Sequence, residues 1–560
     1  MDKRLLLAFV LSGLVVVATP FMFPRQSTPP APAAASPAAA AAPAAQPGVA
    51  ATPQGGRPAE VTAGATKAAA AKTAAPSAEP TVAAETLAVN TPISHTHFST
   101  LGAAPLMVEL PGFNSLGKAK GVASIYQANE PLLRYRVLSG RDTIDLSKVA
   151  FAATRASSAN GSQLITFRGN GGTAEITIEY ALSPTNYVGE VKATVRNAAS
   201  PSFLLVDLPT GFVSQEGDTL GDMMALAYAV KPQRGSAKGI PFRKLDPGEQ
   251  RLETGPMLWA VAKNKYFIVA LLTPEKAPTI AEVKFEGGAR TSKTATRGNA
   301  TAVLPLGADG VTSFTLYAGP QEWERMRALG RDFENANPYG GFLQGVVQPF
   351  ATIVMRALLW MKRTTHLNYG WVLVVFGIVI RLALWPLNQK AMRASLKLQV
   401  LQPELQALQA KYKNDPQKQQ QEIMKLYSEH GMSPLSPLMG CLPMLLPMPV
   451  LFALFFVFQN TIEFRGVSFM WLPDISLKDP LYILPLVMGA SMYLLSWIGM
   501  RNTPPNPQAK MMAYLMPAMM TFFLINFASG LNLYYTVQNL AALPQQWMIA
   551  NERMKKTKAT

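Results

Sequence analysis

The sequence has one cysteine and four histidines in 560 residues, so it is poor in the side chains that most metal and redox sites use. Cys441 alone excludes an intrachain disulfide. The histidines lie outside the apolar stretches. Only His95 and His97 are close in sequence, which would give at most a two-residue metal site. We therefore expect no metal and no other cofactor.

Sequence motifs of common enzyme classes are also missing. There is no G-x-x-x-x-G-K-[ST] phosphate loop and no G-x-S-x-G nucleophile motif. The apolar stretches 438–461, 481–499, 511–528 and 530–549 contain no Asp and no Glu, which ion-coupled transporters generally use. These absences argue against an ATPase, a protease and an ion-coupled transporter, and we expect no catalytic residues.

A positive charge, in contrast, is present where it is costly. Arg381 lies inside the otherwise apolar stretch 370–387, which is just long enough to cross a bilayer as a helix. A cation there costs about 2.5–3.5 kcal/mol on insertion scales. Because no acidic residue of the other C-terminal spans can neutralise it, the guanidinium must reach water by snorkelling or through a hydrated cavity.

The chain before this stretch has three different compositions. Residues 1–25 open with MDKR and an apolar run, which predicts a membrane anchor or a signal peptide, and in both cases export of the region after it. Residues 26–91 are rich in Ala and Pro and are expected to form a disordered tether. Residues 92–341 contain β-type runs between turn residues, such as Ala174–Ala181 and Val311–Ala318, and predict a large antiparallel sandwich.

Two helical patterns flank the Arg381 stretch. Residues 342–363 predict an amphipathic helix lying along the membrane surface, with a membrane span as the alternative. The loop 388–437 has helical periodicity after Pro403 and again after Pro416, which predicts a hairpin of two short helices with basic residues outward. The expected apolar face of the first helix comprises Val346, Phe350, Ile353, Ala357, Leu358 and Met361.

Lysine and arginine are distributed unequally between the connecting segments. Loop 388–437 has seven, segment 501–510 has two and residues 550–560 have four, whereas the connection 462–480 has two. The positive-inside rule then places both termini in the cytoplasm and residues 92–341 outside. Orientation thus explains part of the net charge of +17, and no motif for nucleic acid binding is present. We predict a six-span helical membrane protein with a core over 364–550, spans near 370–387, 438–461, 481–499, 511–528 and 530–549, and a basic tail at 551–560.

Polar side chains collect in the last predicted span. Asn532, Tyr535 and Asn539 share a helical face there, and Gln538 is adjacent. The amides are either interhelical hydrogen-bond partners, worth about 0.6 kcal/mol each, or part of a wet groove shared with Arg381. The 26 methionines fit either a packed core or a surface that adapts to varied apolar partners.

An ordered set of motifs within residues 342–550 resembles the YidC membrane protein insertases. The exported domain and the anchor resemble the Gram-negative members in layout, and in those members the exported domain is a β-supersandwich. The matching motifs, in chain order, are Asn368-Tyr-Gly, Arg381 with Pro386-Leu387, Leu401-Gln-Pro403, Lys411-Tyr412, Leu426-Tyr427, Gly440-Cys-Leu-Pro443, Trp471-Leu-Pro-Asp-Ile-Ser476, Asp479-Pro480, Leu484-Pro485, Gly530-Leu531, Tyr534-Tyr535 and Asn539-Leu540.

The resemblance implies a multi-pass protein that moves hydrophobic segments of nascent membrane proteins from the cytoplasm into the bacterial inner membrane. It would act alone or beside the Sec translocon, assist folding as a chaperone, and carry its large domain in the periplasm. Membrane lipids are further expected partners, and the ribosome is one that the basic cytoplasmic loop and tail leave open. A non-inserting assembly scaffold is the alternative, and a transporter or channel is a third hypothesis.

The resemblance also implies roles for individual residues. It implies a hydrophilic groove around Arg381, open to cytoplasm and lipid, and substrate contact by the spans 438–461 and 511–528. Gly377 stands where the family often has a polar residue, one turn before the arginine. The other candidates for the groove are Asn532, Tyr535, Gln538 and Asn539, and the candidates for substrate contact are Met448, Pro449 and Pro517.

Overall fold

The computed structural model describes residues 84–274, 279–290, 295–337, 344–413, 415–430, 448–501 and 507–557, which belong to the unit Ala83–Thr560. The predicted anchor 1–25, residues 26–83 of the predicted tether and Cys441 lie outside the described residues.

The first part of the described chain is a β-structure with two short helices, α1 at Thr219–Met224 and α2 at Trp323–Ala328. Its strands are β1 Thr86–Asn90, β2 His95–Ser99, β3 Ala104–Asn114, β4 Val122–Tyr126, β5 Arg134–Ser139, β6 Asp142–Asp145, β7 Ala152–Ser157, β8 Gln163–Gly171, β9 Ala174–Leu182, β10 Val188–Arg196, β11 Ser202–Asp207, β12 Ala227–Pro232, β13 Lys238–Pro241, β14 Gln250–Lys263, β15 Phe267–Leu272, β16 Ile280–Gly287, β17 Gly298–Pro305 and β18 Val311–Pro320.

These strands form two antiparallel sheets. The smaller has four strands in the order β1-β2-β3-β4. The larger has fourteen strands in the order β6-β5-β11-β17-β16-β14-β15-β18-β10-β9-β8-β7, with β12 paired to β14 and β13 paired to β12. The first strand begins at Thr86, so the predicted boundary between tether and domain near residue 91 is too late.

Alternation of apolar and polar residues explains why the predicted strands form. In β10 the side chains of Val191, Ala193 and Val195 are buried, while the Glu190 and Lys192 side chains between them point to the other face and are exposed. Strands with this alternation have one face to bury in the core, whereas β15 is buried on both faces.

Aromatic side chains join the two sheets into one core. The Phe98 ring on the smaller sheet lies 4.8 Å from the Tyr180 ring and 5.8 Å from the Phe167 ring on the larger sheet, measured between centroids. The Tyr180 hydroxyl donates to the Ala103 carbonyl at 2.8 Å, so its polar end is satisfied in the interior. The predicted large all-β domain is confirmed.

The rest of the described chain is helical, which confirms the predicted helical C-terminal region. Helix α10 continues through most of the predicted tail 551–560, to Thr557. The helices are α3 Gln344–Thr365, α4 Tyr369–Val400, α5 Gln402–Lys411, α6 Pro416–Glu429, α7 Met448–Asn460, α8 Ile483–Met500, α9 Pro507–Leu524 and α10 Ser529–Thr557.

Two stretches of the described helices are long and apolar enough to cross a membrane. They are Tyr369–Lys390 in α4, with a mean hydropathy of 2.0, and Ile483–Met500, which is α8, with a mean hydropathy of 1.6. Within α9, Ala513–Leu524 is a shorter apolar segment. The six-span count stays a prediction.

The buried face of α3 differs from the predicted one. Ile353 is 64% exposed, although the sequence pattern assigned it to the apolar face. Leu358 and Met361 of the predicted face are buried, and Ala351 and Val354, which were not assigned to it, are buried with them in a cluster that includes Ala453 of α7. Because α3 packs against another helix, its partner selects the buried side, and the periodicity of α3 alone does not reveal it.

Contacts between the helices fix their relative directions. Gly377 and Trp385 of α4 meet Gln538 and Gln545 of α10 in the same order along both chains, so these two helices run parallel. Gly489 of α8 packs against Thr521 of α9, and the Tyr493 and Tyr514 rings lie 5.5 Å apart. The order is reversed there, so α8 and α9 are antiparallel.

Candidate functional site

The contact between α4 and α10 depends on a glycine. A Cβ at Gly377 would lie 2.9 Å from Cγ1 of Val537, closer than real Cβ atoms approach a neighbour. The Gly377 carbonyl accepts a hydrogen bond of 2.7 Å from Nε2 of Gln538. Gly377 is therefore buried where the two helices pack, and its predicted position bordering a groove stays a prediction.

Arg381 lies one helical turn further along α4. Its Nη2 donates to Oε1 of Gln545 at 2.8 Å, and Nε2 of Gln545 donates to the Trp385 carbonyl at 3.1 Å. The guanidinium Nε is buried and has no hydrogen-bond partner among the described residues. No carboxylate of a described residue lies within 4.0 Å of the guanidinium. Among these residues the charge therefore has an amide partner and no counter-ion.

The predicted polar residues of α10 divide between two sides of the helix. Gln538 faces α4, as does Gln545 two turns later. Asn539 donates from Nδ2 to Oγ of Ser491 on α8 at 3.0 Å, and Asn532 donates to the carbonyl of Leu524 at the end of α9 at 3.1 Å. The structure therefore turns Gln538 toward α4, where it donates a hydrogen bond to Gly377 one turn before Arg381, and turns Asn532 and Asn539 toward other helices.

Two buried asparagine side chains, one on α10 and one on α4, each have a polar atom without a hydrogen-bond partner among the described residues. Asn532 is fully buried, and its Oδ1 has no partner among the described residues. Asn388, two turns after Arg381, is 3% exposed, and its Nδ2 also has none in the described chain. Tyr535, the remaining predicted groove residue, packs against the helical core. Unsatisfied buried polar atoms are rare, so they indicate where water or a ligand binds.

Sequence reasoning missed Gln545, although a signal was present. Gln545 follows Gln538 by seven residues, which puts both on one face of a helix. The expected groove face was defined instead by Asn532, Tyr535 and Asn539, which lie about 100° around the helix from Gln538.

The predicted substrate-contact residues lie on two helices. Met448 and Pro449 are the first residues of α7, and their side chains are outside the described ones. Pro517 lies inside α9 and is buried. The neighbouring surface of α9 is an apolar stripe of exposed side chains, which comprises Met511, Leu515, Met519, Phe522 and Phe523.

The segment between α7 and α8 contacts the all-β domain, where the Tyr266 hydroxyl donates to Oγ of Ser476 at 3.1 Å. The Asp474 carboxylate accepts hydrogen bonds from the Gly466 and Ser476 backbone N–H groups at 2.9 and 2.8 Å. The Asp479 carboxylate is fully buried and accepts from the backbone N–H groups of Leu481 and Leu484 at 3.0 and 2.7 Å. The Trp-Leu-Pro-Asp-Ile-Ser motif therefore holds this segment in one conformation.

The same segment carries a buried ion pair with the all-β domain. Nε of Arg465 lies 2.9 Å from both carboxylate oxygens of Glu216, and both side chains are about 95% buried, at 4% and 5% exposure. Burial raises the pKa of Glu216, and the positive charge of Arg465 opposes that shift. The guanidinium also stacks over the Tyr266 and Phe267 rings, so the pair and the stack together attach the domain to the helices.

Comparison with known proteins gives a consistent result. The sequence model of the family described as "60Kd inner membrane protein" matches residues 360–557, and that of the "YidC periplasmic domain" matches residues 86–353.

Individual relatives agree with the family models. The membrane protein insertase YidC of Anaeromyxobacter sp. (strain Fw109-5) is 30% identical over 393 residues, 69% of each chain. The YidC of Syntrophus aciditrophicus (strain SB) is 28% identical over 98% of this chain and 99% of that protein. A crystal structure of an active YidC insertase with its first transmembrane domain resolved is 19% identical, over 82% of this chain and 92% of that one, with a TM-score of 0.34. The chain belongs to the YidC family of inner-membrane proteins and carries the periplasmic domain of that family.

Proposed function

We propose that this chain inserts apolar segments of newly made proteins into the inner membrane, alone or together with the Sec translocon, without a cofactor. The observation that carries the proposal is the environment of Arg381. This cation lies in an apolar helix, has one amide partner, and has a buried Nε that no described residue satisfies. Placing such a charge in the bilayer costs about 2.5–3.5 kcal/mol, and contact with water lowers that cost.

In this proposal, water enters beside Arg381 from the cytoplasmic side and forms a groove that is open to lipid. Gln538 and Gln545 border the arginine, and Gly377 keeps α4 and α10 close together. Asn532, Tyr535 and Asn539 extend the polar lining toward α8 and α9. A short polar tail of a client protein crosses the cytoplasmic half of the bilayer in this groove without meeting hydrocarbon.

The free energy of insertion comes from the client. Twenty Leu-like residues that move into lipid supply on the order of 6–12 kcal/mol, at about 0.3–0.6 kcal/mol each. The exposed stripe on α9, together with the predicted contact residues Met448, Pro449 and Pro517, is the proposed surface along which the client helix slides. Flexible Met side chains suit clients of varied sequence.

Orientation follows from charge, and two contacts support it. The asymmetry of lysine and arginine puts both termini in the cytoplasm. The parallel direction of α4 and α10 agrees, because both would then cross from the periplasm. The pair of Arg465 with Glu216 agrees as well, because it requires the connection 462–480 and the all-β domain to share one side.

Helices α5 and α6, which belong to the basic segment 388–437, would then face the cytoplasm. Lys411 and Lys418 lie 5.4 and 5.8 Å from the centre of the Tyr412 ring, and both are exposed. We propose this surface, with the tail, as a contact for lipid headgroups or the ribosome.

Reconstitution tests the proposal. The purified protein in liposomes should insert a small client with an acidic exported tail, and Arg381→Ala should reduce the rate by about tenfold or more, as expected for loss of a charge-assisted contact. Lys390→Ala is the matched control, because it removes a positive charge from the end of the apolar stretch of α4 and should leave the rate unchanged.

Protection of the inserted tail from added protease gives the readout. Wild-type insertion by Arg381→Ala would refute the electrostatic part of the proposal. Failure of the wild-type protein to insert the client, with client binding retained, would support the assembly scaffold instead.

A further inference from the structure

A cavity of about 690 Å³ lies between the all-β domain and the helices. Leu220 of α1 and Lys265 line it from the domain, and Phe455 of α7, Lys478 and Phe527 line it from the helical part. None of these residues belongs to the proposed groove around Arg381.

The cavity wall contains a buried cation that forms no ion pair with the described residues. Lys265 is 7% exposed, and its backbone N–H donates to Asp222 at 3.0 Å. Its ammonium lies 5.0 Å from the centre of the Tyr266 ring, and the Asp222 and Glu216 carboxylates interact with it electrostatically, but within the described ranges neither is close enough to form an ion pair with it. Glu216 forms its ion pair with Arg465. Asp218, which also lines the cavity, accepts a hydrogen bond from the Gly221 backbone N–H. A buried ammonium is costly unless an anion pairs with it.

The second lysine places the cavity at the boundary of the membrane. Lys478 is exposed and lies five residues before Ile483, where the apolar stretch of α8 begins. Leu220 is 60% exposed at the mouth of the cavity, and Leu481 and Tyr482, beside α8, are 59% and 38% exposed. Exposed apolar and aromatic side chains beside a cation are typical of the headgroup region.

A row of aromatic rings leads from the cavity along α9. The Phe527 ring lies 5.3 Å from the Phe455 ring and 5.0 Å from the Phe523 ring, between centroids. Phe523 and its neighbour Phe522 are 55% and 81% exposed. The row therefore connects the two lysines to an apolar surface that would face lipid.

We propose that this cavity binds one anionic phospholipid from the leaflet next to the all-β domain. The phosphate pairs with Lys265 and Lys478, and an acyl chain lies along Phe527 and Phe523. A free phosphate ion would use the lysines and leave the aromatic row without a role. Because Lys265 belongs to the domain and Lys478 to the helical part, the lipid would link the two, and the proposal does not depend on insertion activity.

Native mass spectrometry of the full chain tests this. The protein is released from nanodiscs of phosphatidylglycerol and phosphatidylcholine, and the wild type should retain one phosphatidylglycerol. Lys265→Gln should lower that retention by about tenfold, the effect of one charge-assisted contact, and Lys265→Arg should keep it. Lys478→Gln, at an exposed position where folding is not at risk, should also lower it. Lys244→Gln, an exposed lysine of the same domain, is the control.

Further arms separate the possible occupants. Millimolar inorganic phosphate should not displace the lipid, and a photoreactive residue at Leu220 should crosslink to lipid. Equal retention of both lipids, unchanged retention in the Lys265→Gln and Lys478→Gln variants, displacement by phosphate, or crosslinking to a client protein instead of lipid would each overturn the proposal.

Discussion

The ion pair between Arg465 and Glu216 gives the most specific prediction about how the two parts of this protein stay together. Replacing Arg465 with Met leaves the Glu216 carboxylate buried without its cation, and removes the stacking over Tyr266 and Phe267. Removal of one partner from a buried pair typically costs about 3–5 kcal/mol. The junction should therefore open far more often, while each part keeps its own core.

Hydrogen exchange measures this opening directly. Amides of the junction segment, such as those of Gly466 and Ile475, are protected by hydrogen bonds to Asp474 and to the Val467 carbonyl. In Arg465→Met their exchange should accelerate by about two to four orders of magnitude, the equivalent of 3–5 kcal/mol. Amides of strand β10 should exchange as in the wild type.

Two further variants isolate the cause. The double variant Glu216→Gln with Arg465→Met removes both charges of the pair and should recover much of the protection. Lys238→Met removes the cation from the exposed pair with Glu253 and should cost less than about 1 kcal/mol. Wild-type exchange in Arg465→Met would refute the proposed role of the pair. Equally fast exchange in the single and double variants would assign the loss to stacking rather than to charge.

Two other predictions concern helix packing and pH. Gly377→Ala should push α10 away, because the new methyl group meets Val537. The free energy of unfolding in detergent should fall by about 1–3 kcal/mol. Gly345→Ala is the control and should not lower it, because a methyl group there meets nothing within 4 Å. Burial, with Glu322 and Glu324 nearby, raises the pKa of Glu463 from 4.5 to about 7. Because this pKa is raised by folding, stability should fall as pH rises from about 4.5 through about 7, and Glu463→Gln should flatten that profile. A steeper pH dependence of stability in Glu463→Gln would contradict the assignment to Glu463. A Gly377→Ala variant as stable as the wild type would contradict the assignment to helix packing.

Much of the architecture follows from local patterns in the sequence. Alternation in residues such as Val191 to Val195 predicted strands, because a strand buries every second side chain. Prolines at 403 and 416 marked the starts of α5 and α6, because proline is tolerated in the first turn of a helix. The face of α3 was wrong at Ile353, because the neighbouring α7 chose the buried side.

By itself, the sequence determined that a cation lies in an apolar helix, that the C-terminal spans lack acidic residues, and that an all-β domain precedes a helical region. Only the tertiary structure decided which groups meet. Gln545 joins Arg381 across 164 residues, and Glu216 joins Arg465 across 249. Periodicity and composition report how each segment divides its own surface between water and an apolar interior. The pairing of distant side chains depends on how whole elements pack, and that information is not contained in any single segment.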